Sequence, residues 1–344
     1  MKIGARNYSK ADVLRRVGDI SQLGGVRETT LSDGRGRGLR CLQVDTGGGL
    51  RFCILPERCM DIAWADFRGT PLSFITKAGI SSSAYFTHWK EEFHRVFAGG
   101  LLATCGLRNI GRYGDYEGEH FGQHGRIGNA PAEHLSVSCG WVGDEYEIVL
   151  SAQMREAVLY EENLYLRRTI RTRLGSGSFV LEDTISNLAF REEYVDILYH
   201  MNFGFPLLDE GARIILPKGW YTDPETKERC SLSQLSSTVM PPADGADSTG
   251  YPIEFEEEQV RIELRNPSLK DWKGIYLSYP KTQLARFALW KSSGSGDYVL
   301  GLEPGTSVPE GRENNRKSGT MICLGPMEEH KVRIEFGIIT EEEE

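Results

Sequence analysis

The tightest limit on this chain's fold comes from the stretch "LYLRRTIRTRL", Leu164 to Leu174, followed by Gly175-Ser-Gly-Ser178 and then by Phe179 to Asn187. In an extended chain, successive side chains point to opposite faces. Leu164, Leu166, Arg168, Ile170 and Thr172 then share one face, and Tyr165, Arg167, Thr169, Arg171 and Arg173 share the other. One face is largely apolar and the other polar, as in an antiparallel strand solvated on one side. The Gly/Ser turn predicts that the two runs form a hairpin. Leu39 to Val44 repeats the pattern, with Thr46-Gly-Gly-Gly49 as the turn before "LRFCILP".

Further strands are expected at 145–153, 259–264, 275–278, 285–290, 298–302, 320–324 and 331–340. Helix signals are few. Ser9 is a candidate cap for 10–17, and 84–97 has room for one or two helical turns. Pro217 to Pro252 is rich in Pro, Gly, Ser and Asp and reads as a long loop excursion. Many short strands separated by regular turns predict an all-β chain, a large antiparallel β-sandwich or barrel with a few short helices. No linker or internal repeat divides the 344 residues, so one domain over 1–344 is expected, with 341–344 as a frayed acidic tail.

The formal net charge of −9, without a basic stripe, argues against nucleic acid or an anionic membrane as partner. The seven cysteines are scattered, with no CxxC pair, which fits a reducing cytoplasm better than a disulfide framework. The N-terminus has no apolar signal-peptide core, and no window approaches the ~20 apolar residues needed to span a bilayer.

Four stretches carry more polarity than a sandwich core needs: "TCGLRNIG" from Thr104, "GQHGRIGN" from Gly122, "ILYHMNFGFP" from Ile197 and "VLGLEPGT" from Val299. In the third, alternation sets Tyr199, Met201, Phe203 and Phe205 on one face and Leu198, His200, Asn202 and Gly204 on the other. In the fourth, Pro304 is expected to end a strand and leave Glu303 at its tip. A carboxylate facing one or two imidazoles forms a general acid–base pair. Arg108, Asn109, Asn129 and Asn202 can hold polar atoms in place. Together they suit a hydroxyl-rich neutral ligand. The glycines do not follow the dinucleotide pattern GxGxxG. Each residue also has an ordinary reading: a satisfied core histidine for His200, a salt-bridge partner for Glu303, surface histidines for His88 and His94. The HxxxH spacing of His120 and His124 would give two metal ligands on a helix, although Gly118, Gly122 and Gly125 weaken a helix there.

Taken in order, "LPERCMDIAWADFRGTPLSF", "GGLLATCGLRNIG", "QHGRIGNAPAEH", "LYHMNFGFPLLDEG" and "YVLGLEPGT" resemble the aldose 1-epimerase (galactose mutarotase) superfamily, in its branch of bacterial mutarotase-like proteins of unassigned substrate. The resemblance runs from about Leu55 to Thr306. It implies a galactose mutarotase-like supersandwich with a monosaccharide or sugar derivative in a concave cleft, and no metal or redox cofactor. It implies His200 as the acid at the ring oxygen and Glu303 as the base at the anomeric hydroxyl. It places Arg108 and His124 as substrate contacts. Asn109, Arg126 and Asn202, for their polar groups, and Trp290 and Tyr113, for aromatic faces that pack on sugar C–H groups, are further substrate-binding candidates. The aspartate that holds sugar hydroxyls in the better-known mutarotases has no secure counterpart; neither Asp209 nor Asp271 matches a motif. At ordinary pKa values of about 4.3 and 6.5, Glu303 would be ionised and His200 mostly neutral. The expected activity is interconversion of α and β anomers. The alternatives are a non-catalytic sugar-binding protein, or a metal-dependent sugar or sugar-acid isomerase using His120 and His124. The sugar and the oligomeric state are left open.

Overall fold

The computed structural model describes residues 1–4, 6–246 and 248–340. The acidic tail expected at 341–344 lies outside the described residues.

The chain builds three large antiparallel sheets. Strands Gly25–Thr30, Arg40–Asp45, Leu50–Leu55, Asp61–Phe67 and Thr70–Pro71 meander in order through the first. The second begins with Glu133–Val142, Glu145–Ala157, Asn163–Arg173 and Ser178–Asn187. It continues through Glu329–Ile339, Gly274–Pro280 and Gln259–Arg265. The third has the central order Ser248–Phe255, Arg286–Gly294, Asp297–Gly305, Glu193–Phe203, with Ala103–Leu107 added against Glu193–Phe203. The expected hairpin forms, with Leu164 opposite Asn187 and Arg171 opposite Val180.

The alternating apolar faces meet in a shared core. Phe52 from the first sheet packs on Phe179 from the second at 5.0 Å between ring centroids, and Phe179 stacks on Phe336 at 5.0 Å. Burying one such ring contributes roughly 1.5–3 kcal/mol. Arg168 sits on the apolar face and is fully buried, which a guanidinium tolerates only with partners. It forms a fork on Asp183, with Nε to Oδ1 at 3.0 Å and Nη2 to Oδ2 at 2.7 Å. Its Nη1 donates to Thr104 Oγ1 at 2.8 Å and lies 3.3 Å from Asp61 Oδ1. Tyr199 Oη donates to Asp183 Oδ2 at 2.8 Å. One charge-assisted network thus ties together strands from all three sheets.

Several expectations need correction. The capped helix spans Lys10–Leu14, shorter than read, although Ser9 Oγ does accept from Asp12 N at 3.1 Å. The helical turns expected at 84–97 do form, as 3₁₀ turns at Ser83–Tyr85 and Lys90–Arg95. The excursion after Pro217 is no loop: strands Gly219–Thr222, Arg229–Ser231 and Ser248–Phe255 join it to the third sheet. A helix at Arg312–Ser318 was not expected. Pro304 does not end its strand, which continues to Gly305. Phe205 lies beyond its strand and is exposed instead of walling the core. Among the described residues, no helix is long and apolar enough to cross a membrane.

Candidate active site

Strand Glu193–Phe203 runs between Asp297–Gly305 and Ala103–Leu107 in the third sheet. Met201 pairs with Leu302, and Leu198 with Gly305, in one unbroken register. Between those pairs no bridge forms, because Pro304 has no N–H to give. The register sets His200 directly across from Glu303, and side chains directly opposite share a face. Their atoms accordingly meet: His200 Nε2 lies 3.2 Å from Glu303 Oε1. Both side chains are nearly buried, yet the pair falls short of hydrogen-bond geometry, and Glu303 Oε1 and His200 Nδ1 have no other partner among the described residues.

Burial sets the ionisation of both groups. It pushes the Glu303 carboxyl up to about 8 and the His200 imidazole down to about 4. At neutral pH the carboxyl therefore holds its proton and the imidazole is uncharged. That differs from the ionised carboxylate expected at ordinary values, because a charge there would lack water.

The pair forms the floor of a cleft of about 680 Å³. Rings hold His200 on three sides: Phe97 at 5.1 Å, Trp290 at 5.3 Å and His124 at 5.6 Å between centroids. Trp290 is fixed by its Nε1–H donating to Ser248 Oγ at 2.6 Å. His124 exchanges two bonds with Gly111: its N–H donates to Gly111 O at 2.9 Å, and its Nδ1 accepts from Gly111 N at 3.2 Å. The second bond leaves the His124 hydrogen on Nε2, and burial keeps that ring neutral. Gly301 makes room for the acid. A Cβ there would lie 2.5 Å from Glu303 Oε1 and 3.0 Å from Trp290 Cβ.

His200, Glu303, His124, Trp290 and Tyr113 all line this cleft. Arg108, Asn109, Arg126 and Asn202 do not. Arg108 is buried in an ion pair with Glu119 at 2.6 Å and Glu162 at 3.2 Å. Arg126 reaches the same Glu119 at 3.4 Å. Asn109 is fully buried as a crosslink, donating to Gly122 O at 2.8 Å and accepting from Arg312 N at 2.7 Å. Asn202 is fully buried beside His200. Gly204 opens space for backbone, since a Cβ there would meet Phe74 Cα at 3.0 Å.

The sequence reading missed one wall, made by Glu91, Phe93, His94 and Phe97 with Gln123 and Arg112. His94, expected at the surface, is exposed and also faces the cleft, with Nε2 3.1 Å from Gln123 Nε2. Arg58 ties the end of this wall to its surroundings, its buried guanidinium donating to Val96 O at 3.3 Å, Ser81 O at 2.9 Å and Gly128 O at 3.3 Å. Asp209 and Asp271 do not line the cleft; Glu91 and Glu303 are its carboxyl groups. His120 lies on strand Glu119–Phe121 with Nδ1 2.7 Å from Asp115 Oδ1, while His124 follows that strand at φ 58°. The two therefore share no helical face. Among the described residues, no three His, Cys, Asp or Glu side chains form a group suited to a metal ion.

Solved structures share this architecture. A putative aldose 1-epimerase from Klebsiella pneumoniae subsp. pneumoniae superposes with a TM-score of 0.83, over 92% of this chain and 83% of its own, at 23% identity. A galactose mutarotase-like protein from Clostridium acetobutylicum gives 0.65 over 93% and 99%, at 12% identity. A second putative aldose 1-epimerase, from Escherichia coli K12, gives 0.57 over 88% and 100%, at 14% identity. The fold is thus a mutarotase-like β-sandwich. The chain belongs to the family described as a domain of unknown function, DUF4432, whose model matches residues 36–338. No curated protein matches the sequence at a significant level.

Proposed function

We propose that this cleft opens and recloses the ring of a monosaccharide, interconverting its α and β anomers. The observation that carries the reading is the buried His200–Glu303 pair, 3.2 Å apart beneath Trp290 and Phe97. A hemiacetal presents O1–H and the ring oxygen on one carbon, so two adjacent groups can serve both. The neutral pair holds one transferable proton. Moving it from Glu303 to His200 Nε2 creates a carboxylate and an imidazolium without changing net charge. The carboxylate takes the O1 proton while the imidazolium gives its own to the ring oxygen. The C1–O5 bond breaks to leave an aldehyde. Rotation about C1–C2 presents the other carbonyl face, and reclosure reverses both transfers. Each positioned group can contribute ~10²–10⁴-fold. The apolar side of the sugar would rest on Trp290 or Phe93. The names carried by the structural neighbours point the same way.

The test is NMR exchange between anomers over a panel of neutral and acidic sugars. Acceleration by the wild type, lost in both His200→Ala and Glu303→Ala, is the expected result. Undiminished exchange in both variants would overturn the assignment. Saturable binding without any acceleration would leave a sugar-binding protein instead.

A further inference from the structure

Two buried atoms beside the cleft floor lack partners among the described residues, and they are complementary: His200 Nδ1 and Asn202 Oδ1. The residues are two apart on one strand, so their side chains share a face. The orientation of the Asn202 amide is set by its other end. Nδ2 donates to Gly100 O at 3.1 Å and to His200 O at 2.9 Å, which uses both hydrogens. Flipping the amide would turn its oxygen onto two carbonyl oxygens, so Oδ1 faces away from them and can only accept. On the other side of the imidazole, Nε2 faces Glu303 Oε1 at 3.2 Å.

We propose that Asn202 is a positioning residue: its Oδ1 accepts from His200 Nδ1–H and so holds the neutral imidazole in the Nδ1–H form, with the Nε2 lone pair turned to Glu303. This rests on the reading of His200 and Glu303 as the proton-transfer pair. Contact with Asn202 also raises the His200 pKa, against the larger effect of burial. The alternative Nε2–H form would set a donor against the protonated carboxyl and leave Nε2 unable to receive the proton. An amide suits the position better than a carboxylate. It fixes the tautomer without trapping the imidazolium, which must release its proton when the ring recloses. Asn202 therefore acts through His200, and does not hold a sugar hydroxyl.

The test is two-bond ¹H–¹⁵N correlation on the full-length protein labelled at histidine, with the His200 signal assigned by its loss in His200→Gln. In the wild type near neutral pH, His200 should be uncharged with the hydrogen on Nδ1. In Asn202→Ala the signal should move toward the Nε2–H pattern or a mixture. In the exchange assay kcat should fall roughly tenfold or more, with KM within about twofold, whereas loss of a sugar contact would raise KM. Asn202→Ser leaves a polar group at this position and serves the same comparison if the alanine variant does not fold. A wild-type Nε2–H tautomer, or a tautomer unchanged in the variants, would overturn the proposal. Should the wild type catalyse no exchange, the mutarotase reading fails, while the tautomer measurement still decides the role of Asn202.

Discussion

At His200 and Glu303, burial acts in opposite senses on one piece of chemistry. It suppresses the charge of each, so the pair carries a single proton across the middle of the pH range. As pH falls through about 4 the imidazole gains a second proton, and no base remains. As pH rises through about 8 the carboxyl loses its proton, and none is left to give. The profile of kcat/KM for anomer exchange should be a broad bell with limbs near those values, which belong to the pair and not to either residue alone. A single flat limb would contradict the shared proton. Gly301 offers a second check at this scale. The Cβ of Gly301→Ala would press on the free end of Glu303, which can swing away cheaply, and on Trp290. The variant should fold with little change in melting temperature but lose roughly 10²-fold or more in kcat. Circular dichroism and the exchange assay separate the two effects.

The elements show what a sequence can disclose and where it stops. The hairpin 163–187 was legible because alternation and a Gly/Ser turn are local signals. Pro304 was misread because whether a proline ends a strand or merely interrupts one ladder depends on the strands beside it. Arg312–Ser318 escaped notice because the face it buries carries Arg312 and Asn315, not an apolar stripe. In the cleft, His200, Glu303 and His124 stand in motifs legible in the sequence, whereas Trp290 stands outside them and was a candidate only as an aromatic. That Arg108, Asn109 and Arg126 stand outside the cleft was not legible, since Glu119, Glu162 and Gly122 meet them only in the folded chain. The wall at 91–97 has 3₁₀ turns in place of a periodic pattern, and its shape depends on the Arg58 fork. Lysine cannot reproduce that fork. Arg58→Lys should therefore raise KM several-fold while kcat stays within about twofold; a fall in kcat at constant KM would mean the wall does more than shape the cleft.

For the molecule as a whole, the floor and the wall of the cleft are held by different means. Phe93 and His94 stand on a 3₁₀ turn whose following carbonyls, Arg95 O and Val96 O, are held by Arg35 and Arg58. His200 stands on a central strand whose next residue back, Tyr199, is bonded to Asp183 and through it to Arg168. Slipping or tilting that strand would take the Tyr199 hydrogen bond from a buried carboxylate, at a cost of roughly 1.5–3 kcal/mol. Heating should thus separate two failures. Affinity for the sugar should decline first, as the wall loosens. Turnover at saturating sugar should persist until the sheets part, so its inactivation midpoint should coincide with the loss of near-ultraviolet dichroism. Loss of saturated turnover well below that midpoint would show the proton pair to be less firmly seated. If the midpoints coincide, the Arg168 network makes heat tolerance and turnover one property, and selection for either would act on the same interior residues.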